Sequence, residues 1–342
     1  MRAAFITGHG GNEVVEYGER PRPQRKRGEV LVRLHAAGLN RVDLYMRDSG
    51  AGITHQLPQI MGLDGAGVVA EIDDDQPGLK IGDRVVLHPG LGCLHCEFCR
   101  RGEHILCTSM KLLGEHIDGT LAEFISVPAQ NVFPMPDGFD FMEAAALGVA
   151  HATAWRMVFT KAQLKAWETV LIFGIGGSVS IAALQMAKMI GARAIVTSRD
   201  ACKLARAREL GADETIQGGR EDIAKRALAL TDGRGVDVVI ENVGEAVWPA
   251  AMKSLVRGGR IVTCGATSGD APSADLRRLF IRQLQVIGST HCTFNEFANL
   301  LAVCGRGHLR PVFDSRYPLS DIHVALEHLE SGQQFGKIGI AI

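Results

Sequence analysis

The sequence predicts an α/β protein that joins a β-rich domain to a doubly wound, six-stranded parallel sheet. Three observations carry that expectation. Short apolar runs in the first third (AAFIT, EVLVRLHAAGL, GAGVVAEI, RVVLH) are separated by Gly, Pro and Asp, which reads as β structure throughout. From about residue 150 apolar strands alternate with helix-length amphipathic stretches. The first of those strands runs directly into a glycine-rich turn.

Taken in order, TVLIF (169–173) precedes a helix at about 178–190, and ARAIVT (192–197) precedes one at about 200–210. ETI (214–216) precedes 221–231, VDVVI (236–240) precedes 246–255, and RIVTC (260–264) precedes 273–282. LQVIG (284–288) closes the series. Strands that follow one another through helices pair in parallel and are covered on both faces. After residue 290 the pattern is helix, strand, helix, strand, ending at GKIGIAI. That tail is too short for a domain of its own. The expected division is therefore 1–150 with 289–342 as the β-rich domain, and 151–288 as the parallel-sheet domain.

With 342 residues, 46% of them apolar, the chain can bury a large core. A net charge of −1 and the absence of basic stripes argue against nucleic acid and anionic membranes as partners. The opening MRAAFITGHGGNEVVEYGER has no long apolar run, so a cytoplasmic location is expected, where thiols stay reduced. Cys202, Cys264, Cys292 and Cys304 are scattered and read as small core residues. The other four are clustered in GCLHCEFCRRGEHILC, with Cys93, Cys96, Cys99 and Cys107 at spacings that let four thiolates converge on one ion. Four sulfurs leave no open position, so one structural zinc per chain is expected in a lobe at about 90–110. His95 and His104 read as exposed neighbours of that site.

In TVLIFGIGGSVSIAALQMAK, Gly174 and Gly176 permit a tight turn and Gly177 permits close approach of a pyrophosphate. Ser178 and Val179 open the helix whose free N–H groups would face that anion. Ser178 and Ser180 carry hydroxyls that could also donate to phosphate. At the end of the next strand stand Ser198 and Arg199, with Lys203 one turn on, where an acid would select a free ribose hydroxyl. Asp200 follows one place later and reads as a helix cap. Hydroxyl and cations suit a 2′-phosphate, so NADP(H) is expected rather than NAD(H). Asn242 and Val243, Gly265 and Ala266, and Ser289 follow later strands and are nominated as further cofactor contacts.

Several segments together resemble the medium-chain dehydrogenase/reductase superfamily: MRAAFI, AAGLNRVDLYMRDSG, PQIMGLDGAGVVAEI, IGDRVV, the cysteine lobe, the glycine-rich loop, RELGAD and GKIGI. The resemblance covers essentially the whole chain. It implies a GroES-like catalytic domain and a Rossmann domain with the active site in the cleft, assembled as a homodimer or homotetramer. The last Rossmann strand (284–288) would often pair between subunits. It also implies that Thr153 lies near the nicotinamide; Arg41 is expected to reach the pyrophosphate.

Where zinc alcohol dehydrogenases of that superfamily place catalytic ligands, this chain has Asn40, Leu63 and, by alignment, Val149. Leu63 has no ligating atom and a neutral amide is a poor zinc ligand. The pattern Asn40-x-x-Asp43 with Gly62-x-Asp64 is similar to the quinone oxidoreductase branch, which usually lacks the cysteine lobe. Asn40, Asp64 and His151 are therefore the candidate catalytic residues. A rebuilt metal site would need two of Asp64, His151, His88 and His116 in ligand geometry.

Without a metal, an activated acceptor is favoured, because hydride lands on carbon while charge spreads to a distant oxygen. The expected function is reduction of a small apolar enone, quinone or other activated carbonyl by NADPH. Asn40 would orient substrate or cofactor through its amide, and His151, Tyr45 or water would supply the proton. Tyr45, Met46, Leu63, Trp155 and Phe294 read as cleft walls, and Lys337 as structural. Two alternatives stand beside this one: an alcohol dehydrogenase with an absent or rebuilt metal site, and a non-catalytic NADPH-binding structural protein.

Overall fold

The computed structural model describes residues 1–53 and 56–342. The chain divides into two compact units, Met1–Ala152 with Cys292–Ile342, and Thr153–His291.

The second unit is the doubly wound sheet. Its six strands run in the order Glu214–Gln217, Arg193–Ser198, Thr169–Ile172, Val236–Glu241, Leu255–Thr263, Gln285–Gly288. All five pairings are parallel. The order reverses at Thr169–Ile172, so the glycine-rich turn that follows this strand lies at the switch point where such sheets bind ligands. Strand residues such as Leu171, Ile195, Val239 and Ile261 are fully buried, as a sheet covered on both faces demands. They pack with Phe173, Trp248 and Met252 into one apolar cluster.

The first unit is built on a seven-stranded sheet. The long strand Glu29–Leu39 lies inside it, antiparallel to Asp64–Glu71, Phe124–Pro128 and Lys337–Ala341. The tail thus enters this unit as strand Lys337–Ala341, flanked by Phe313–Pro318. Its two helices, Phe294–Gly305 and Ile322–Ser331, belong to the same unit. Thr293 caps the first of them, accepting the Glu296 N–H at 3.3 Å while the Glu296 carboxylate accepts from Thr293 N–H at 2.6 Å. Ile322, Ala325, Leu326 and Leu329 present the buried face of the second helix to Leu39, Leu44 and Ile338.

The expectation that the first third is all-β needs one correction. Arg41–Asp48 is an α-helix. Asn40 is its N-cap in extended conformation, and the Asp43 carboxylate accepts the Asn40 N–H at 2.7 Å. The residues Asn-Arg-Val-Asp therefore carry a helix-start signal inside a β-rich region.

Candidate functional site

Around the four cysteines, Gly90–Leu91 pairs antiparallel with Lys111–Leu112 and closes the base of the lobe. The lobe is otherwise short turns, with helical turns at Glu97–Arg100 and His104–Leu106. The sulfurs of Cys93, Cys96, Cys99 and Cys107 all lie within 4.8 Å of one another, and those of Cys93 and Cys99 are 4.0 Å apart. Four thiolates on a tetrahedral zinc ion, each about 2.3 Å from it, stand about 3.8 Å apart, so the residues fit that ion. Backbone N–H groups of Cys93 and Ser109 point at Cys107 Sγ at 3.3 Å, and that of Cys96 points at Cys93 Sγ at 3.4 Å. Such donors offset the negative charge of a four-thiolate site.

His95 is exposed, but His104 is not. Its ring is stacked on Phe294 with centroids 3.7 Å apart, and Phe294 in turn meets the ring of His88 edge-on at 4.8 Å. The cysteine lobe is thus fastened by a buried aromatic contact that its sequence does not announce. Phe294, expected in a cleft wall, serves this packing. Met46 and Leu63, also expected there, are 1% and 2% exposed and belong to the interior. Of the scattered cysteines, Cys292 and Cys304 are buried and Cys264 is half-buried, whereas Cys202 is exposed on the helix Ala201–Glu209.

In the second unit, Gly174 (φ 66°) and Gly176 (φ 118°) adopt backbone conformations that other residues rarely take. Gly177 caps the helix Ser178–Met189, and Ser178 and Val179 form its first turn. A Cβ on Gly174 would stand 3.0 Å from Val243 and 3.1 Å from the Asn242 amide oxygen, and one on Gly176 would meet the Lys203 side chain at 2.7 Å. A Cβ on Gly265 would meet the Asn242 carbonyl at 3.0 Å. The loop, Lys203, Asn242, Val243 and Gly265 are therefore one cluster, with Ala266 next in chain. Thr153 opens this unit and is buried, and Ser289 donates its N–H to the Thr263 carbonyl at 2.9 Å. Ser180 does not serve phosphate. Its hydroxyl donates to the Phe173 carbonyl at 2.7 Å and accepts from the Asn242 amide at 3.0 Å, tying the loop to the next strand end.

Asp200 caps its helix by accepting the N–H groups of Cys202 and Lys203. Ser198 Oγ accepts the Asp200 N–H at 3.1 Å. Arg199 is exposed, and among the described residues its guanidinium has no ion-pair partner. Sequence reasoning missed Glu241. Fully buried, it accepts from Gly244 N–H at 2.7 Å and from the Thr263 hydroxyl at 3.0 Å, so it sets the turn that presents Asn242 and Val243. An acid ending the apolar run VDVVIE was the available signal.

Asn40 and Asp64 come together in the first unit around a buried lysine. Lys337 Nζ lies 2.7 Å from Asp64 Oδ2, 2.7 Å from Asn40 Oδ1 and 3.3 Å from the Leu39 carbonyl. The Asn40 Nδ2 donates to Asp64 Oδ2 at 3.0 Å, and Asp64 Oδ1 accepts the Val149 N–H at 2.7 Å. Lys337 and Asp64 are 1% and 0% exposed. Glycines on either side make room: a Cβ on Gly38 would stand 2.9 Å from Asp64 Oδ2, and one on Gly148 would stand 2.7 Å from Oδ1. Both charges are paired and hydrogen-bonded, as burial requires.

Below this cluster Asp43 is buried, and its carboxyl is pushed up to about 7 by desolvation, with the Asn40 N–H opposing and the charge of Asp64 adding to the rise. Burial likewise pushes Glu115 up to about 7. Arg41 is half-buried beside Tyr45, whose hydroxyl is raised above its ordinary value by burial. His151 is 2% exposed, at the end of the helical turn Leu147–His151, with Nδ1 3.3 Å from the Ala146 carbonyl.

The positions where a catalytic zinc would need ligands do not form a metal site. Leu63 is apolar, Val149 turns its N–H to Asp64, and the Asn40 amide oxygen already faces an ammonium. Among the described residues, no group of three metal-capable side chains combines two of Asp64, His88, His116 and His151. His88 accepts the Gly90 N–H at Nδ1 (3.1 Å) and so donates from Nε2 to the Cys292 carbonyl (3.0 Å). His116 Nδ1 accepts the Leu112 N–H at 3.2 Å.

Residues 26–137 match the alcohol dehydrogenase GroES-like domain, and residues 178–305 match the zinc-binding dehydrogenase family. An alcohol dehydrogenase of Geobacillus stearothermophilus is 31% identical over 99% of this chain and 98% of its own. The crystal structure of an NAD-dependent alcohol dehydrogenase superposes with a TM-score of 0.96 at 38% identity, covering 100% of both chains. A cobalt- and zinc-bound thermostable alcohol dehydrogenase from Pyrobaculum aerophilum superposes with a TM-score of 0.90 at 33% identity, over 100% of this chain and 99% of that one. The four-cysteine lobe, the switch-point loop and likeness to these relatives along its whole length lead to one conclusion: the chain belongs to the zinc-type medium-chain dehydrogenase/reductase superfamily and is an NAD(P)-dependent oxidoreductase.

Proposed function

We propose that the protein reduces an activated C=C bond of an α,β-unsaturated carbonyl, or a quinone, with NADPH and without a catalytic zinc. The observation that carries this reading is the cluster of Asn40, Asp64 and Lys337, in which an ammonium already serves the oxygens a metal would need. An ammonium saturated by three acceptors cannot polarise a ketone as an open-sited zinc does. Acceptors whose charge spreads away from the reacting carbon need less of that polarisation. The nicotinamide supplies hydride when bound, and the chain's part is to hold it and orient the acceptor. Asn40 is the orienting residue. His151, Tyr45 and water remain the proton sources.

NADP(H) is favoured over NAD(H) because Asp200 is committed to a helix cap while Arg199 is exposed with Ser198 beside it. Gly174, Gly176, Gly177 and the first turn at Ser178 and Val179 would cradle the pyrophosphate, with Arg41 reaching it. Lys203, Thr153, Asn242, Val243, Gly265, Ala266 and Ser289 would line the rest of the cofactor. We read the assembly as a homodimer or homotetramer and the location as cytoplasmic.

Likeness to alcohol dehydrogenases supports a second reading, alcohol oxidation or ketone reduction with an absent or rebuilt catalytic metal site. Metal analysis and a substrate panel separate the two. One zinc per chain, with NADPH oxidised by enones or quinones faster than by simple ketones, is the expected result. Two tightly held metals per chain, with loss of turnover when one is stripped, would sink the zinc-free reading. Tight NADPH binding with no turnover of any acceptor would favour a structural role.

A further inference from the structure

We infer that Gln217 is a positioning residue: its side-chain amide fixes the backbone of Arg199, so the Ser198–Arg199 turn is set for a 2′-phosphate before the nucleotide arrives. Ser198 ends the strand Arg193–Ser198, and the helix Ala201–Glu209 starts two residues after Arg199. Chain in such a turn has left the ladder of the sheet and has not yet joined that of the helix, so its carbonyls take donors from elsewhere or from water. The edge strand Glu214–Gln217 and the turn after it provide those donors. Gly218 donates its N–H to the Ser198 carbonyl at 2.9 Å, and Gln217 Nε2 donates to the Arg199 carbonyl at 3.2 Å. Among the described residues no backbone N–H reaches the Arg199 carbonyl.

Gln217 is itself held. Its N–H donates to Glu221 Oε2 at 2.8 Å, and Glu221 Oε1 lies 3.5 Å from Arg226 Nε. Only the NH2 group of a Gln side chain can meet a carbonyl, so the orientation of the amide is fixed. The turn also lies against the root of the Arg199 side chain, because a Cβ on Gly218 would stand 3.9 Å from Arg199 Cγ. On the helix side, Ser198 Oγ accepts the Asp200 N–H, and Asp200 accepts from Cys202 N–H. Among the described residues neither the Ser198 hydroxyl hydrogen nor the Arg199 guanidinium has a protein acceptor. These are two donors of the kind a phosphate dianion takes. Binding then has the Arg199 side chain to order but not the turn that carries it. Gln217 touches the Arg199 carbonyl and acts only through that residue.

The inference rests on the proposed preference for NADP(H), and the test separates the two. The full-length, zinc-loaded protein is titrated calorimetrically with NADPH and NADH, and with 2′,5′-ADP and 5′-AMP, a pair that isolates the 2′-phosphate. The wild type is expected to bind the phosphate-bearing member of each pair more tightly. Gln217→Met keeps the length of the side chain and loses the donor. It should shrink both preferences about fivefold, within the worth of one net hydrogen bond, and leave NADH and 5′-AMP binding unchanged. In an Arg199→Ala background the same change should have no further effect on either preference, because the residue it positions is gone. If Gln217→Met is insoluble, Gln217→Asn, polar but one methylene too short to reach the Arg199 carbonyl, is expected to show the same loss. A folded variant of either kind that keeps the full preference overturns the inference while the NADP(H) reading stands. So does one that weakens both members of a pair alike, as a loosened fold would, or that acts equally without Arg199. A wild type that binds both members of each pair alike removes the NADP(H) reading, and the inference with it.

Discussion

Glu115 carries a buried carboxyl raised to about 7 by desolvation alone, and that makes it a stability switch. The folded protein holds this proton more tightly than the unfolded chain does. The contribution is therefore fully present at pH values below the ordinary Glu range and is lost as pH rises through about 7. Between pH 6 and 8 the loss amounts to about 1 kcal/mol. Glu115→Gln should remove that share of the decline, measured as the urea midpoint at the two pH values. Breaking the Lys337–Asp64 pair is costlier. Asp64→Leu alone strands a buried ammonium and should destabilise by about 3–5 kcal/mol, less than which in urea titration would mean that water reaches Lys337. At the nucleotide site, Arg199→Ala should weaken NADPH binding by about 10–100-fold, the worth of a charged hydrogen bond, and leave NADH binding unchanged. Equal weakening of both would remove the case for 2′-phosphate recognition. Sequence alone showed Asn40 and Asp64, because a short motif holds each. It did not show Lys337 joining them, because that contact spans 273 residues.

Among the elements, the cysteine lobe has little regular structure of its own, so its order depends on the ion and on the His104–Phe294 stack. Cys99→Ser should lower the zinc content toward zero and speed tryptic cleavage at Arg100 and Arg101, both exposed, by roughly tenfold. Unchanged cleavage would mean that packing alone holds the lobe. The strand Gln285–Gly288 is a sheet edge with Val286 46% exposed, and the helix before it exposes Leu276 and Phe280. An apolar, unpaired edge invites pairing with a second copy. Val286→Lys should shift the mass in light scattering toward the monomer, whereas a monomeric wild type would refute the pairing. Element types in the parallel sheet were legible because short apolar runs such as VLI, AIV and VVI alternate with helix-length amphipathic stretches. The helix Arg41–Asp48 was hidden, because its start signal lies inside a region whose turns read as β.

For the whole molecule, the fold class was readable from the change of period near residue 150 and from the glycine-rich turn. Packing partners were not. The burial of His104 against Phe294 and the tie between Ser180 and Asn242 arise from contacts that no local pattern encodes. One such long-range pairing also governs how the chain must be made. Strand Glu29–Leu39 is paired to Lys337–Ala341, and Lys337 meets Leu39 at a sequence separation of 298. At a synthesis rate of about 5–20 residues per second, the earlier strand waits on the order of 15–60 s for its neighbour. The unit Thr153–His291 has all its own strands on hand before then. During that interval the ribosome carries an unfinished sheet whose exposed edge would favour chaperone capture, and the nucleotide-binding unit can mature first.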